Sequence, residues 1–190
     1  KVTWIGFWFN IPGVTSDPTQ VADDFFNSGY DVVISGIDTT EAVAEAAKFT
    51  GQGKKVWAIP YDYAKAIDEG KGVSLGVPYF NWGPAYVKAT KDAMAGTWKS
   101  HWEWNGPDWK NINNPDTSAV GFMKGTLSKE ASAGVDKFVA ELAKGLNLWT
   151  GPINLQDGSA YLKKGEKATD RQVWYLPQLL QGMQGQSVSK

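Results

Sequence analysis

Two aspartates, Asp38 and Asp62, are the side chains whose type and position best suit chemistry or ligand binding. Each follows a short β-prone run, so each is expected in a loop just after a strand. A pair of carboxylates can act as general acid and general base. Aspartate also caps helices and closes turns. The pair is therefore consistent with an acid–base reaction, with a binding site and with a purely structural role.

Tryptophan is the second unusual feature, with 10 tryptophans among 190 residues. Large aromatic side chains bury much apolar area, so one interpretation is an aromatic-rich core. The other interpretation is a set of flat faces on which a planar or ring-shaped ligand stacks. Composition alone leaves both interpretations open.

Several classes of site are excluded by composition. The chain has no cysteine, which removes disulfides, thiolate metal sites and a cysteine nucleophile. His101 is the only histidine, and 19 basic against 20 acidic residues give a net charge of -1. That balance argues against a nucleic-acid partner. No phosphate-binding, dinucleotide-binding, esterase or zinc-protease motif is present, so neither a cofactor nor a metal is expected.

The elements that position the aspartates follow a regular order. Three β-prone runs alternate with amphipathic helical segments: Val2–Phe9, Asp31–Ile37 and Lys55–Ile59. A β-α-β-α-β order with short links is typical of a parallel sheet. Ligands of such sheets bind outside the carboxyl ends of the strands. Three loops are expected there: Trp8–Asn10, Asp38–Thr40 and Pro60–Tyr63.

The alternation breaks in the stretch from Leu75 to Trp104. A further strand is expected within 72–80, followed by a helix over Trp82–Ala95. Pro84 suits the first turn of a helix, and Gly96 suits its end. The aromatic end of this helix requires a packing partner, which we expect to lie outside the chain.

Six short motifs in order resemble one family. They are Trp4-Ile-Gly-Phe-Trp-Phe-Asn10, Asn81-Trp-Gly-Pro-Ala-Tyr86, Gly96-Thr-Trp-Lys-Ser100, Trp149-Thr-Gly-Pro-Ile153, Gln156-Asp-Gly158 and Ala168-Thr-Asp170. Their succession resembles the basic membrane protein family, the PnrA-like substrate-binding lipoproteins of ABC transporters. The resemblance runs from Val2 to about Gly185 and is weakest over Trp102–Ser118.

The resemblance implies an α/β fold. Family members have two lobes like those of type I periplasmic binding proteins, and each lobe is a parallel sheet flanked by helices in three α/β/α layers. Residues 1–190 resemble the second lobe, with the first lobe apparently missing. Residues 81–97 resemble the crossover helix, which is expected to pack on that absent lobe.

The resemblance also implies a binding site for a purine nucleoside or purine base. Trp8 matches an aromatic that stacks on the base, and Asp62 matches an acid that holds ribose hydroxyls. The remaining positions carried over are Phe9, Asn10, Asp38, Thr39, Phe80, Asn81 and Trp82. Phe80 and Pro60 depart from the family, which often has lysine or histidine at the first and aspartate at the second. Both departures remove polar contacts to a sugar, so a free base is as good a candidate as a nucleoside.

The function implied is therefore a solute-binding component of an ABC importer, and not an enzyme. Its expected partners are the small-molecule ligand and the transporter permease. Self-association through the exposed half-site is a further expectation. The expected location is the periplasmic or extracellular face of the cell membrane, with a lipid anchor on a missing N-terminal segment. Two alternatives remain: a ligand-sensing regulatory domain of the same fold and a doubly wound α/β enzyme.

Overall fold

The computed structural model describes residues 1–70 and 72–187. Lys71 and residues 188–190, which belong to the predicted lobe 1–190, lie outside the described residues. The chain divides into two compact units, one formed by Lys1–Asp17 with Lys144–Lys190 and the other by Pro18–Ala143.

Helices and strands alternate through much of the described chain. The helices are α1 (Pro18–Asn27), α2 (Glu41–Gly51), α3 (Ala66–Glu69), α4 (Gly83–Met94), α5 (Lys129–Ala143) and α6 (Asp170–Trp174). The strands are β1 (Val32–Ile34), β2 (Trp57–Ile59), β3 (Gly76–Phe80), β4 (Val120–Lys124), β5 (Ile153–Asn154) and β6 (Ala160–Leu162). The mixed α/β class predicted from the sequence is confirmed.

The core of the larger unit lies between two helices and a parallel strand pair. Strands β1 and β2 pair in parallel, with Val33 opposite Ala58. Both of these side chains are buried in one cluster with residues of α1 and α2: Ala22, Phe26, Ala42, Val43, Ala46 and Phe49. Of the three α2 residues that the helical spacing predicts to face inward, Val43 and Ala46 are buried and Ala47 is exposed.

The predicted three-layer arrangement is not shown by the described residues. Helices α1 and α2 cover the Val33 face of β1, but Ile34 on the opposite face is 72% exposed. The run Val32-Val33-Ile34 is apolar at every position, which is typical of a strand buried on both faces. Apolar character on the second face does not by itself supply a layer to cover it.

The prediction of a parallel sheet is correct for β1 and β2 and wrong for the next pair. Strand β3 is bridged in parallel to the β2 segment at Asp62–Tyr79, but it pairs antiparallel with β4. Glycine makes this register fit, because a Cβ on Gly121 would lie 2.2 Å from the ring of Tyr79, its cross-strand partner. Periodicity predicts a strand but not the direction of its neighbour.

The buried strand predicted over Val2–Phe9 is also wrong. The segment is irregular, and the side chains of Trp4, Phe7, Trp8 and Phe9 are exposed. Its main tie within the smaller unit is the Val2 N–H, which donates to the Gln184 carbonyl at 2.7 Å. In the same unit β5 and β6 form an antiparallel pair. The segment has the composition of a strand, but no strand of the described chain forms a ladder with it.

Helix α4 begins and ends close to the predicted bounds, since Trp82 is its N-cap residue and Pro84 lies in its first turn. It has no buried residue. Tyr86 is 66% exposed and Met94 is 84% exposed. The helix therefore presents apolar side chains that no described part of its own unit covers.

Removing buried volume behind the aspartate loops is expected to destabilise the larger unit. Val43 of α2 is 2% exposed, so Val43→Ala should lower the free energy of unfolding by about 1–3 kcal/mol. Val87→Ala is the matched control, because Val87 lies on α4 and is 53% exposed. Chemical denaturation should show a change below about 0.5 kcal/mol for the control. Equal losses in the two variants would contradict this account of the core.

Candidate functional site

A cavity of about 440 Å³ opens where β1 and β2 end. The loops after the two strands and the first residues of α2 and α3 form its walls. The lining residues are Asp38, Thr39, Thr40, Glu41, Ala44, Tyr61, Asp62, Tyr63, Ala66 and Glu69. Parallel strands point their carboxyl ends at the same edge of a sheet, and residues of both loops predicted there, Asp38–Thr40 and Pro60–Tyr63, line the cavity.

Tyr61 joins the two loops across this cavity. Its hydroxyl donates a hydrogen bond to Oδ1 of Asp38 at 2.7 Å. Partial burial raises the pKa of Tyr61 to about 12, and the neighbouring carboxylates of Asp38 and Asp62 add to the effect because they disfavour a phenolate. Tyr61 therefore keeps its proton at physiological pH and directs it at Asp38.

Asp62 has an unusual backbone, with φ at 77° in the left-handed region. Two hydrogen bonds to β3 hold it there. The Asp62 N–H donates to the Pro78 carbonyl, and the Phe80 N–H donates to the Asp62 carbonyl, each at 3.0 Å. A left-handed conformation disfavours residues with a Cβ, and such outliers concentrate at functional sites. The conformation makes Asp62 a strong candidate for a functional side chain.

The cavity is rich in acceptors. Four of the lining side chains are carboxylic acids, Asp38, Glu41, Asp62 and Glu69, and within residues 1–70 and 72–187 no lysine, arginine or histidine lines the cavity. Thr39 Oγ1 and Glu41 Oε2 are buried and make no hydrogen bond to any described residue. Like charges at short range repel an anionic ligand. The arrangement suits a ligand that is neutral or cationic and offers hydrogen-bond donors.

Aromatic rings extend from the cavity to the first turn of α4. The ring of Tyr61 lies edge-on to Phe80 with centroids 6.2 Å apart. Phe80 contacts Trp82 at 5.5 Å, and Trp82 stacks with Tyr86 at 6.2 Å with 19° between the planes. We call these four residues the aromatic row. It places the predicted residues Phe80 and Trp82 beside the cavity, although neither lines it.

The Asn81 side chain is hydrogen-bonded to the protein backbone and does not line the cavity. Its amide nitrogen donates to the carbonyls of Pro115 and Ser118, each at 2.8 Å. Its side-chain oxygen accepts from the Gly83 N–H at 3.4 Å. Both amide hydrogens are therefore used to hold the irregular segment before β4. The sequence does not show this use of Asn81, because the two carbonyls are 34 and 37 residues away.

The first three predicted site residues, Trp8, Phe9 and Asn10, belong to the smaller unit. There the Phe7 ring contacts both Trp8, at 5.1 Å, and Phe9, at 4.9 Å. Asn10 accepts a hydrogen bond from the Thr15 hydroxyl at 3.2 Å. Trp8 is 62% exposed, so its indole face is accessible to a ligand within this unit.

Asp38, Thr39 and Asp62 are thus the predicted residues that share one cavity. Tyr61, Glu41 and Glu69 also line the cavity and were not among the predicted site residues. The signal for Tyr61 was present, because it lies in the predicted Pro60–Tyr63 loop. Glu41 and Glu69 gave no such signal, since both resemble ordinary polar residues of helices.

Two further properties of the described chain bear on function. Across residues 1–70 and 72–187, no three histidine or acidic side chains are grouped so that they could hold a metal ion. No helix in the same ranges has the length and apolar character needed to cross a lipid bilayer.

Asn81→Ala is expected to destabilise the protein, because it leaves two backbone carbonyls without their donor. The loss in the free energy of unfolding should be about 1–3 kcal/mol, measured by chemical denaturation. Asn105→Ala is the control, since the Asn105 amide donates to Glu103 at 3.3 Å and holds no backbone carbonyl. A stable Asn81→Ala variant that loses only ligand affinity would assign Asn81 to the ligand instead.

Comparison with known proteins gives one informative match. The chain is similar to a purine-binding protein of Brucella abortus (strain 2308), with 32% identity over 172 residues. The matched region covers 90% of this chain and 44% of the relative, so the chain spans less than half of that protein's length. No family model matches the chain. The match is to a protein named for binding and not for catalysis, and it is distant and partial.

Proposed function

We propose that this chain is the ligand-binding lobe of a solute-binding protein that captures a purine base, a purine nucleoside or a similar flat small molecule. The observation that carries the proposal is the cavity at the carboxyl ends of β1 and β2, which is lined by Asp38, Tyr61 and Asp62. Its volume of about 440 Å³ lies within the range of small-molecule sites. The similarity to a purine-binding protein supports the choice of ligand.

The chemistry of the cavity suits such a ligand. Purines carry amino or ring N–H donors, and nucleosides add ribose hydroxyls. Both can donate to the carboxylates of Asp38 and Asp62. A flat base also gains by stacking on an aromatic face, which Trp8 and the aromatic row provide in their respective units. A nucleotide is the poorer candidate, because its phosphate group would meet the carboxylates among the described lining residues.

Phe80 bears on the choice between a base and a riboside. Its side chain packs against the Tyr61 ring and offers no hydrogen bond. In this position family members that bind nucleosides often have a cationic or polar side chain. We therefore propose a free purine base as the first ligand to test, with nucleosides as the second, held by Asp62 through their vicinal hydroxyls.

The larger assembly is also part of the proposal. We propose a type I periplasmic-binding-protein-like lobe, with residues 81–97 packing on a preceding lobe and the ligand enclosed between the two. The unburied face of α4 and the 44% coverage of the relative support this arrangement. We further propose that the whole protein is anchored by lipid at the outer face of the membrane, delivers its ligand to an ABC permease, and self-associates through the half-site when the first lobe is absent.

Calorimetry with a small panel of ligands tests the proposal. The panel contains adenine, hypoxanthine, adenosine, uracil and adenosine monophosphate. The chain 1–190 is compared with an extended form that carries the proposed first lobe ahead of it. We expect the extended form to bind a purine more tightly than the short chain, and neither form to bind the nucleotide well. Failure of both forms to bind any purine, or release of reaction products from a nucleoside, would overturn the proposal.

Trp8→Ala is expected to weaken purine binding. Stacking of a base on an aromatic side chain is worth about 1–3 kcal/mol, so the affinity of the extended form should fall by about 5- to 150-fold. Trp174→Ala is the control, since Trp174 belongs to the same unit and is similarly exposed. An unchanged affinity in Trp8→Ala would remove Trp8 from the site.

Asp62→Gly is expected to separate stability from binding. Glycine and aspartate both adopt the left-handed backbone, so the free energy of unfolding should change by less than about 1 kcal/mol. Loss of the carboxylate should at the same time lower affinity for a nucleoside by about tenfold or more. Asp62→Asn controls for the backbone, because asparagine tolerates the same conformation without the charge. A destabilised Asp62→Gly variant would show that the carboxylate has a structural role.

A further inference from the structure

We propose that Tyr61 is a positioning residue of the cavity, whose hydroxyl fixes the orientation of the Asp38 carboxylate toward the ligand. The inference rests on the proposed function, because it concerns how the same site recognises its ligand. Tyr61 acts through Asp38 and makes no hydrogen bond to the ligand itself.

The first step is the use of the hydroxyl proton. A tyrosine hydroxyl has one proton to donate, and Tyr61 gives it to Oδ1 of Asp38 at 2.7 Å. The second carboxylate oxygen, Oδ2, makes no hydrogen bond to a described residue. The ionised carboxylate accepts only, so Oδ2 is left to accept from a ligand N–H or O–H in the cavity.

The second step is the need for such a restraint. Asp38 is an exposed side chain on the loop after β1, and it shares the cavity with the carboxylates of Glu41 and Asp62. Like charges favour rotamers that separate them, which for Asp38 means turning away from the cavity. A neutral hydroxyl donor opposes this without cancelling the negative charge that the ligand meets.

The third step is how the tyrosine ring is itself held. Phe80 contacts it edge-on at 6.2 Å with 83° between the ring planes, and Phe80 in turn contacts Trp82 at 5.5 Å. The backbone beside Tyr61 is fixed by the two hydrogen bonds between Asp62 and β3. Phe80 thus restrains one side of the Tyr61 ring, and the hydrogen bonds to β3 restrain the backbone next to it. Together these contacts hold the hydroxyl beside Asp38.

Phe80 acquires a role by the same reasoning. It is a second positioning residue, which acts on Asp38 through the Tyr61 ring. Replacing it with leucine keeps an apolar side chain but removes the edge-to-face contact, which is specific to aromatic pairs. Its effect on ligand affinity should therefore resemble that of losing the tyrosine hydroxyl, although smaller.

A double-mutant cycle on the extended form tests the inference, with adenine and adenosine as probes in calorimetry. Tyr61→Phe removes the hydroxyl and keeps the ring, and it should lower affinity about tenfold. In the Asp38→Ala background the same change should alter affinity by less than about twofold, since contacting residues couple. Tyr30→Phe is the matched control, because Tyr30 belongs to the same unit and does not line the cavity. It should leave affinity unchanged.

A second measurement needs no ligand. The difference in ultraviolet absorbance between the wild type and Tyr61→Phe reports the titration of Tyr61 at alkaline pH. Its midpoint should be near the pKa of about 12. Asp38→Asn should lower this pKa, because the Asp38 charge and its hydrogen bond are lost while the burial of the ring remains. This response reports the Tyr61–Asp38 hydrogen bond, on which the positioning role depends. An unchanged midpoint in Asp38→Asn would overturn the inference.

The outcomes separate the two proposals. Additive losses in the cycle, with purine binding intact in the wild type, would show that Tyr61 contacts the ligand directly and would overturn the inference alone. Equal losses in Tyr61→Phe and Tyr30→Phe would also overturn it. If no purine binds to the wild type, the proposed function fails, and the inference falls with it.

Discussion

The parallel pairing of β1 with β2 is the constraint on which the site depends. Val33 and Ala58 are register partners and lie in one buried cluster with α1 and α2. This packing sets both strands to end at the same level, so the loops that follow them face each other across a few ångströms. Asp38 and Tyr61, 23 residues apart in the chain, are hydrogen-bonded as a result. The chemistry of the cavity is thus a consequence of core packing below it.

The cavity gathers four carboxylic acids, and the described part of the chain adds no cation to its lining. Such a group of carboxylates opposes folding at neutral pH, because the charges are closer in the native state than in the unfolded chain. Backbone hydrogen bonds to β3 hold Asp62 against this repulsion, and a neutral hydroxyl holds Asp38. Because these restraints are uncharged, the carboxylates of Asp38 and Asp62 keep their negative charge and stay available as acceptors. A salt bridge would neutralise that charge and occupy an acceptor. A donor-bearing ligand would relieve the repulsion and so stabilise the folded chain.

The sequence was sufficient for the elements with strong local signals and for the residues they position. Helices α2 and α4 and strands β1 and β2 could be predicted from periodicity and end signals, and the parallel order placed the loops of Asp38 and Asp62 at one edge of a sheet. That both side chains line one cavity is known from the structure alone. The strand predicted over Val2–Phe9 is absent, because the apolar composition of a segment does not show whether a neighbouring strand is there to pair with it. The antiparallel β4 and the use of Asn81 depend on contacts across long sequence separations. The contribution of Trp8 remains a prediction.

The left-handed backbone of Asp62 also limits how this site can diversify. Few residue types adopt that conformation cheaply, chiefly glycine, asparagine and aspartate. Among these, only aspartate supplies a carboxylate, asparagine supplies a mixed donor and acceptor, and glycine supplies no side chain. Evolutionary substitution at position 62 is therefore limited largely to these three residues, which place a carboxylate, an amide or no side chain in the lining of the cavity. A change of ligand that required a bulky or cationic group here would first have to rebuild the loop.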